Sequence, residues 1–188
     1  SYKGEPTAVS VGEDCVIREG VTINRGTPKS GATVIGDRCF LMAYAHVAHD
    51  CIIGNNVILA NATTLGGHVR IDDFAILGGI VAIHQFIRIG TYAFIGGKSG
   101  LRMDMPPYML AFGAPGKLYG PNLVGLRRHG FPQHTIQALK SRYRIMLRSG
   151  LTLTEAIDRI REEAAATPEV DNLIQIMQDR SKRKLTRR

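Results

Sequence analysis

Between Val11 and Leu101, aliphatic residues recur every six positions. Ile35, Leu41, Val47, Ile53, Leu59, Leu65, Ile71, Leu77, Ile83, Ile89, Ile95 and Leu101 form an unbroken run, and Val11, Ile17 and Ile23 keep its phase. A second series lies four residues after each member and is small or β-branched, from Cys39, Ala45 and Cys51 through Val57, Thr63 and Val69 to Ala93 and Ser99. Glycine directly follows the aliphatic residue at positions 12, 36, 54, 66, 78, 90 and 96. A period of six matches neither the 3.6-residue turn of an α-helix nor the two-residue alternation of one long strand. It predicts short strands joined by tight corners and stacked as a solenoid, each repeat covering the apolar face of the next.

The pattern is interrupted twice. Residues 24–34 keep the length but lose the apolar series; they read either as a loop protruding from one corner or as a degenerate coil. The repeat stops at Met105-Pro106-Pro107, and the Gly- and Pro-rich stretch 108–130 reads as a linker. Pro132 suits the first turn of a helix running to about Arg148, with Gly150 as its stop. Thr152-Leu-Thr-Glu155 has the spacing of a capping box, and Thr167-Pro168-Glu169 starts a further helix. The basic run Arg180 to Arg188 is expected to fray. The chain is therefore expected to be mainly β with an α C-terminal part: a solenoid over 1–107, then a linker and small helical domain over 108–188. A solenoid needs a cap at each end. The tail can cap one end and nothing before Val11 can cap the other, so further coils are expected N-terminal to Ser1.

Composition narrows the setting. No apolar stretch approaches the ~18 residues of a membrane span, so no stable membrane insertion is expected. Ser1 to Pro6 carries no apolar signal-peptide core. Three cysteines without a C-x-x-C motif fit a reducing cytoplasm. Cys15, Cys39 and Cys51 all fall in the inward small-residue series, where thiols are usually inert. The formal charge is +8, with the excess toward the C-terminus. Such a balance suits acidic partners: nucleic acid, an acidic carrier protein or phosphorylated ligands.

The aliphatic-Gly-x-x-small-x unit resembles the hexapeptide repeat of left-handed parallel β-helices. That resemblance implies three hexapeptides per triangular coil of eighteen residues, and a left hand that departs from the usual right-handed crossover. Residues eighteen apart then lie one above another, roughly 4.8 Å apart. His49 sits under Gly67 and Gly67 under Gln85; Asp50 sits under His68 and His68 under Phe86. None of these occupies an inward slot, so they are expected to face outward, toward solvent or a neighbouring subunit. His46 and His84 fall beside them, placing four of the six histidines in this zone. A lone histidine here would most simply be a hydrogen-bonded structural residue. An imidazole, a bare glycine backbone and an amide in one column favour a site instead. Glycine lets a ligand approach the backbone, and a neutral imidazole is a suitable base near pH 7.

Four segments carry a closer resemblance: 41–51 (Leu-Met-Ala-Tyr-Ala-His-Val-Ala-His-Asp-Cys), 60–68 (Ala-Asn-Ala-Thr-Thr-Leu-Gly-Gly-His), 83–86 (Ile-His-Gln-Phe) and 122–131 (Asn-Leu-Val-Gly-Leu-Arg-Arg-His-Gly-Phe). They resemble the UDP-N-acetylglucosamine O-acyltransferases, which act first in lipid A biosynthesis, and the similarity runs over nearly the whole chain. The resemblance implies transfer of a 3-hydroxyacyl group from acyl carrier protein to the 3-hydroxyl of UDP-N-acetylglucosamine, by a homotrimer with its sites between subunits. It implies no dissociable cofactor, because the acyl group arrives on the phosphopantetheine of the carrier, and no metal and no nucleic acid. Carried over position by position, His49 is the general base, Asp50 its supporting carboxylate and Gly67 the donor of an oxyanion-hole N–H. His46, His68, Gln85, Asn122 and Arg128 fall at substrate-contacting positions, and Gly97 in the acyl-chain region. Arg127, Arg128, Lys140, Arg142, Arg144 and Arg148 are candidates for attracting the acidic carrier.

Three other classes share the solenoid. An acetyl-CoA-dependent hexapeptide acyltransferase would differ in its donor, and the helical tail with Asn122 and Arg128 argues against it. A γ-carbonic-anhydrase-like enzyme would use three outward histidines as zinc ligands. A non-catalytic trimeric scaffold leaves the outward histidine column without a role.

Overall fold

A computed structural model describes residues 3–162 and 167–178 of the chain. The six-residue period becomes a three-sided parallel β-helix. The first face stacks Ala8–Val11, Ala32–Ile35, Ile52–Ile53, Arg70–Ile71 and Arg88–Ile89. The second stacks Val16–Ile17, Phe40–Leu41, Ile58–Leu59, Ile76–Leu77, Phe94–Ile95 and Met109–Phe112, closed by the antiparallel strand Lys117–Pro121. The third stacks Thr22–Ile23, His46–Val47, Thr64–Leu65, Ala82–Ile83 and Gly100–Leu101.

Both inward series are buried. From Ile35 to Leu101 every aliphatic member is at most 3% exposed, and from Cys39 to Ser99 every small member is at most 6% exposed. Each fully buried aliphatic side chain contributes about 1.5–3 kcal/mol. Val11 and Ile17 share the phase yet are 41% and 45% exposed, because they lie in the first coil of this chain. Buried thiols and hydroxyls satisfy corner carbonyls that the ladders leave over. Cys39 donates to Gly54 O at 3.1 Å, Cys51 to Gly66 O at 3.2 Å and Thr63 to Gly78 O at 3.0 Å. Burial pushes the Cys39 and Cys51 thiols up to about 11, which keeps them protonated at neutral pH.

The third residue of each corner is left-handed, including Asp50 (φ 62°), His68 (60°), Phe86 (65°), Phe74 (60°), Tyr92 (54°) and Tyr108 (65°). Such a φ costs a non-glycine residue on the order of 1 kcal/mol. It aims that residue's N–H at the coil below: His68 N–H donates to His49 O (3.0 Å) and Phe86 N–H to Gly67 O (2.9 Å). The corner columns are thereby locked one above another.

Two stretches depart from simple repetition. In the first coil Ala8 pairs with Ala32, Val16 with Phe40 and Thr22 with His46, a spacing of 24; Phe40 with Ile58 and His46 with Thr64 return to 18. The six extra residues make a loop over 24–31, whereas Ala32 to Val34 already belong to a strand. Gly26 is pressed against that strand, where a Cβ would lie 2.4 Å from Ala32 N. At the other end, Ile89 bridges Met105 and Ile95 pairs with Ala111, a spacing of 16. Two residues are missing from this coil, so the stacking continues after the six-residue phase has slipped. The stretch read as a linker, 108–130, accordingly holds two strands and helix α1 (Leu123–Arg128).

Three further helices follow, α2 (Gln133–Arg148), α3 (Leu153–Glu162) and α4 (Pro168–Gln178). The capping box forms: Thr152 N–H donates to Glu155 Oε2 (2.7 Å) and Glu155 N–H to Thr152 Oγ1 (3.3 Å). Leu126, Leu139, Ile160 and Leu173 join the solenoid core, and Asn172 Nδ2 donates to Tyr108 Oη at 2.9 Å. The tail thus caps one end of the solenoid. The basic run 180–188 lies outside the described residues.

Candidate active site

The corner between the third and first faces comprises residues 48–51, 66–69 and 84–87 on successive coils. Its left-handed column is Asp50, His68 and Phe86. The position before it gives His49, Gly67 and Gln85, as eighteen-residue stacking requires.

Asp50 is the hub, and its place corrects the sequence expectation: its side chain is wholly buried rather than facing outward. Loop 24–31 covers it. Thr27 N–H donates to Oδ1 at 2.6 Å, the Thr27 hydroxyl to Oδ2 at 2.9 Å, and the Ser30 hydroxyl also reaches Oδ1. The backbone N–H of Asp50 donates to the buried Thr33 hydroxyl at 2.8 Å. Burial pushes the carboxyl up, but the donors Ser30, Thr27 and His49 outweigh it and hold Asp50 well below the usual carboxylate range. Thr27, Ser30 and Thr33 were not singled out from the sequence. The signal available was three hydroxyl residues spaced by three in the one stretch without apolar periodicity.

His49 Nδ1 lies 2.7 Å from Asp50 Oδ2. An ionised carboxylate only accepts, so Nδ1 carries the proton and the neutral ring presents the Nε2 lone pair. The His49 side chain is 45% exposed, so that nitrogen is within reach of a ligand. Its ring lies against Gly67, where a Cβ would stand 2.7 Å from Cε1 and 2.8 Å from Nε2. Among the described residues, Gly67 N–H has no acceptor. At the matching place on the corner between the first and second faces, Asp37 and Asn55 donate to side chains one coil above, Asn55 Oδ1 (2.8 Å) and Asp73 Oδ1 (2.7 Å). An open base nitrogen and an unspent N–H donor thus stand side by side.

Three other histidines flank this pair. His68 Nε2 is 3.4 Å from Asp50 Oδ2, and its ring meets His49 edge-on (5.2 Å) and stacks on Phe86 (4.5 Å, 7°). Lys29 Nζ of the loop stands 6.0 Å from the Phe86 centroid. His46, on the third face, shares a 2.7 Å hydrogen bond with Thr22 Oγ1. One coil above Gly66, His84 Nδ1 lies 3.2 Å from Gln85 O. A cleft of 470 Å³ runs along the third face from His84 past Ile83 and Leu101 to Ala114 and Pro115. A second, of 250 Å³, contains Gln85, Phe86 and Arg102. Neither cleft encloses His49. Among the described residues, His49, Asp50 and His68 form a group whose ligand atoms lie within 4.8 Å of one another, as a metal site would require.

Residues 104–186 match the family described as UDP N-acetylglucosamine O-acyltransferase, domain 2, and residues 32–67 match the bacterial transferase hexapeptide repeats. The curated acyl-[acyl-carrier-protein]–UDP-N-acetylglucosamine O-acyltransferase of Alkalilimnicola ehrlichii is 47% identical over 173 residues, 92% of this chain and 67% of its own length. Its counterpart in Pseudomonas aeruginosa is 48% identical over 170 residues, 90% of this chain and 66% of its own. Among solved structures, the UDP-N-acetylglucosamine acyltransferase of Bacteroides fragilis superposes with a TM-score of 0.96 at 40% identity, covering 99% of this chain and 72% of that one. That of Francisella novicida gives 0.94 at 36% identity, over 100% and 69%. The chain belongs to the UDP-N-acetylglucosamine O-acyltransferase family. It spans about two thirds of the length of these curated relatives.

In this member of the UDP-N-acetylglucosamine O-acyltransferase family, the residues picked out by resemblance divide among three corners. His49, Asp50, Gly67, His68 and Gln85 share one, with His46 on the adjoining face. Arg128 ends α1 and Asn122 caps its start; α1 sits over the corner between the first and second faces, where His129 packs on Phe74 and Tyr92. A side of the triangle is six residues, so that corner is on the order of 15–20 Å from His49. Asn122 is buried and its amide is spent internally: Oδ1 accepts from Gly125 N–H (3.1 Å) as the cap of α1, and Nδ2 donates to Tyr92 O (3.0 Å). Arg128 is exposed. Gly97 lies on the corner between the second and third faces, exposed above Gly79. Among the basic candidates for carrier docking, Arg127, Arg128 and Arg144 are exposed but Arg142 is buried at 4%, which removes it from any docking surface. The Arg148 side chain lies outside the described residues.

Proposed function

We propose that the chain transfers a 3-hydroxyacyl group from acyl carrier protein to the 3-hydroxyl of UDP-N-acetylglucosamine, the first step of lipid A biosynthesis, as a cytoplasmic homotrimer. The observation that carries this reading is the open Nε2 of an Asp50-anchored His49 beside the unspent N–H of Gly67. His49 Nε2 takes the proton of the sugar 3-hydroxyl as that oxygen attacks the thioester carbonyl. The tetrahedral oxyanion accepts from Gly67 N–H. Collapse breaks the C–S bond, and the departing thiolate takes the proton back from His49. Asp50 stays ionised throughout and stabilises the imidazolium while it exists. No covalent acyl-enzyme and no dissociable cofactor are needed. The thiols of Cys39 and Cys51, buried and raised to about 11, are unsuited to nucleophilic attack.

The separation of Asn122 and Arg128 from His49 within one chain supports a site shared between subunits, where a neighbour's α1 would complete the sugar-nucleotide pocket. The apolar cleft on the third face offers the acyl chain a path from His84 toward Ala114 and Pro115. No helix among the described residues is long and apolar enough to cross a membrane, which accords with a diffusible carrier as donor.

The test is direct. UDP-N-acetylglucosamine and a 3-hydroxyacyl carrier protein should yield the 3-O-acyl sugar nucleotide by mass spectrometry, and His49→Ala should cut the rate by about 10²–10⁴-fold. Full transfer by His49→Ala would overturn the reading. The proximity of His49, Asp50 and His68 favours a γ-carbonic-anhydrase-like zinc enzyme as the second reading. Stoichiometric zinc bound through these histidines, with no acyl transfer, would establish it.

A further inference from the structure

Loop 24–31 is the six-residue insertion that sets the first coil apart. At the same corner one, two and three coils higher, four residues turn the chain, 48–51, 66–69 and 84–87. The insertion is not spent on reaching a distant element; it folds back onto its own corner. Thr27, Ser30 and Thr33 are spaced by three, and each ends on Asp50: Thr27 through N–H (2.6 Å) and hydroxyl (2.9 Å), Ser30 through its hydroxyl, and Thr33 by accepting the Asp50 N–H (2.8 Å). Asp50 is a wholly buried anion whose ion pairs among the described residues are with His49 and His68, not with lysine or arginine. The loop donors therefore carry most of its solvation.

They also fix its plane. Oδ1 is held by Thr27 N–H and Ser30, and Oδ2 by the Thr27 hydroxyl, which leaves Oδ2 aimed at His49 Nδ1 at 2.7 Å. A rotation of the carboxylate that released His49 would break all three loop bonds together. Lys29, over Phe86, extends the same loop along the column.

We propose that loop 24–31 is the positioning element of the catalytic pair, with Thr27 and Ser30 as positioning residues that hold the Asp50 carboxylate in the plane that orients His49. The proposal rests on the reading of His49 as the base. Neither Thr27 nor Ser30 touches substrate in it; both act through Asp50.

The experiment is steady-state kinetics of Thr27→Val, Ser30→Ala and their double variant, with Thr27→Ser as the conservative control. Hydrogen bonds to a charged group support a loss in kcat of about tenfold for each single variant and more for the double, with the KM for UDP-N-acetylglucosamine nearly unchanged. The groups facing the Asp50 carboxylate are the imidazoles of His49 and His68 and the thiol of Cys51. With a loop hydroxyl removed and the Thr27 N–H retained, the carboxylate becomes more basic and holds the His49 imidazolium more tightly. The acid limb of kcat/KM should therefore move to higher pH in Thr27→Val and Ser30→Ala, and stay in place in Thr27→Ser. A merely structural loop would lower the melting temperature without moving that limb. If the double variant does not fold, the contrast between Thr27→Val and Thr27→Ser decides. Unchanged kcat and pH profile in both single variants, with His49→Ala inactive, would overturn the positioning role and leave the base assignment standing. Full activity in His49→Ala as well would overturn the base assignment itself.

Discussion

The corner that stacks Asp50, His68 and Phe86 shares its backbone with the corner that stacks Phe74, Tyr92 and Tyr108. Both set the third residue at φ between 54° and 65°, and both align rings one coil apart: His68 on Phe86 at 4.5 Å, Phe74 on Tyr92 at 4.7 Å. They differ in what covers them. Over the aromatic corner lie α1 and the residues after it, with His129 edge-on to Phe74 and Tyr92 and Phe131 edge-on to Tyr92 at 4.8 Å. Over the histidine corner lies a loop that seals Asp50 and leaves His49 half open. Identical turns thus become core or chemistry according to their cover, and the solenoid itself is neutral between the two.

The sharpest way to break this comparison is to add one methyl group at equivalent turn positions. Gly67→Ala would bring a Cβ within 2.8 Å of His49 Nε2, whereas Gly79→Ala, at the same place on the corner between the second and third faces, meets nothing nearer than Asn61 O at 3.4 Å. The atoms in the way at Gly67 are the end of a movable side chain, so the fold should survive and the His49 imidazole should be displaced. Transfer should fall by at least about 10²-fold in Gly67→Ala, as a small misplacement of a catalytic group can cost, with little change in melting temperature. Gly79→Ala should match the wild type in both. Equal activity of the two alanine variants would show that His49 does not work from the position seen here.

Next in size is a contrast in stability. Tyr108 is buried at 5% exposure and accepts from Asn172, while Phe86 remains 39% exposed. Tyr108→Ala should cost about 3 kcal/mol in urea unfolding and Phe86→Ala about 1 kcal/mol, since the cavity penalty scales with what was enclosed. A larger loss at Phe86 would mean that the histidine corner, not the aromatic one, holds the solenoid together.

Which parts of this were legible in the sequence follows from what a period can encode. The column of His49, Gly67 and Gln85 follows from addition, because each inward residue between Ile35 and Leu101 fixes the phase of its neighbours. The capping box at Thr152 and Glu155 and the start at Pro168 were equally plain, being local hydrogen-bond chemistry. What periodicity could not show was anything that leaves the phase. The two-residue deletion before Met105 hid the strand Met109–Phe112, and the prolines and glycines around it then looked like a linker. Loop 24–31 has no apolar pattern to place it, so nothing on the chain said that it folds over Asp50. The buried state of Asp50 was missed for that reason: its slot is outward by phase, and only the insertion covers it.

The smallest effect separates the two corners by pH. The Asp50 carboxyl is held below its unfolded value of about 3.9, its loop and histidine donors outweighing burial. A depressed folded pKa gives stability that is fully present above the unfolded value and is lost as pH falls toward the folded one. Wild type and Asp50→Asn should therefore differ most in stability near neutrality and converge below about pH 4. Curves that stay parallel down to pH 2 would mean that Asp50 is not held ionised. The aromatic corner acts at the opposite end. Burial raises the Tyr108 hydroxyl, so its contribution is complete below the unfolded value of about 10 and is lost as pH rises through the folded one. The Tyr92 hydroxyl of the same corner, raised by burial, and the thiols of Cys39 and Cys51, raised to about 11, lose stability on the same side, so Tyr108→Phe removes only the Tyr108 share. An acid limb that shrinks in Asp50→Asn but not in Tyr108→Phe, and an alkaline limb that shrinks in Tyr108→Phe but not in Asp50→Asn, would assign each corner its own chemistry in one folded chain.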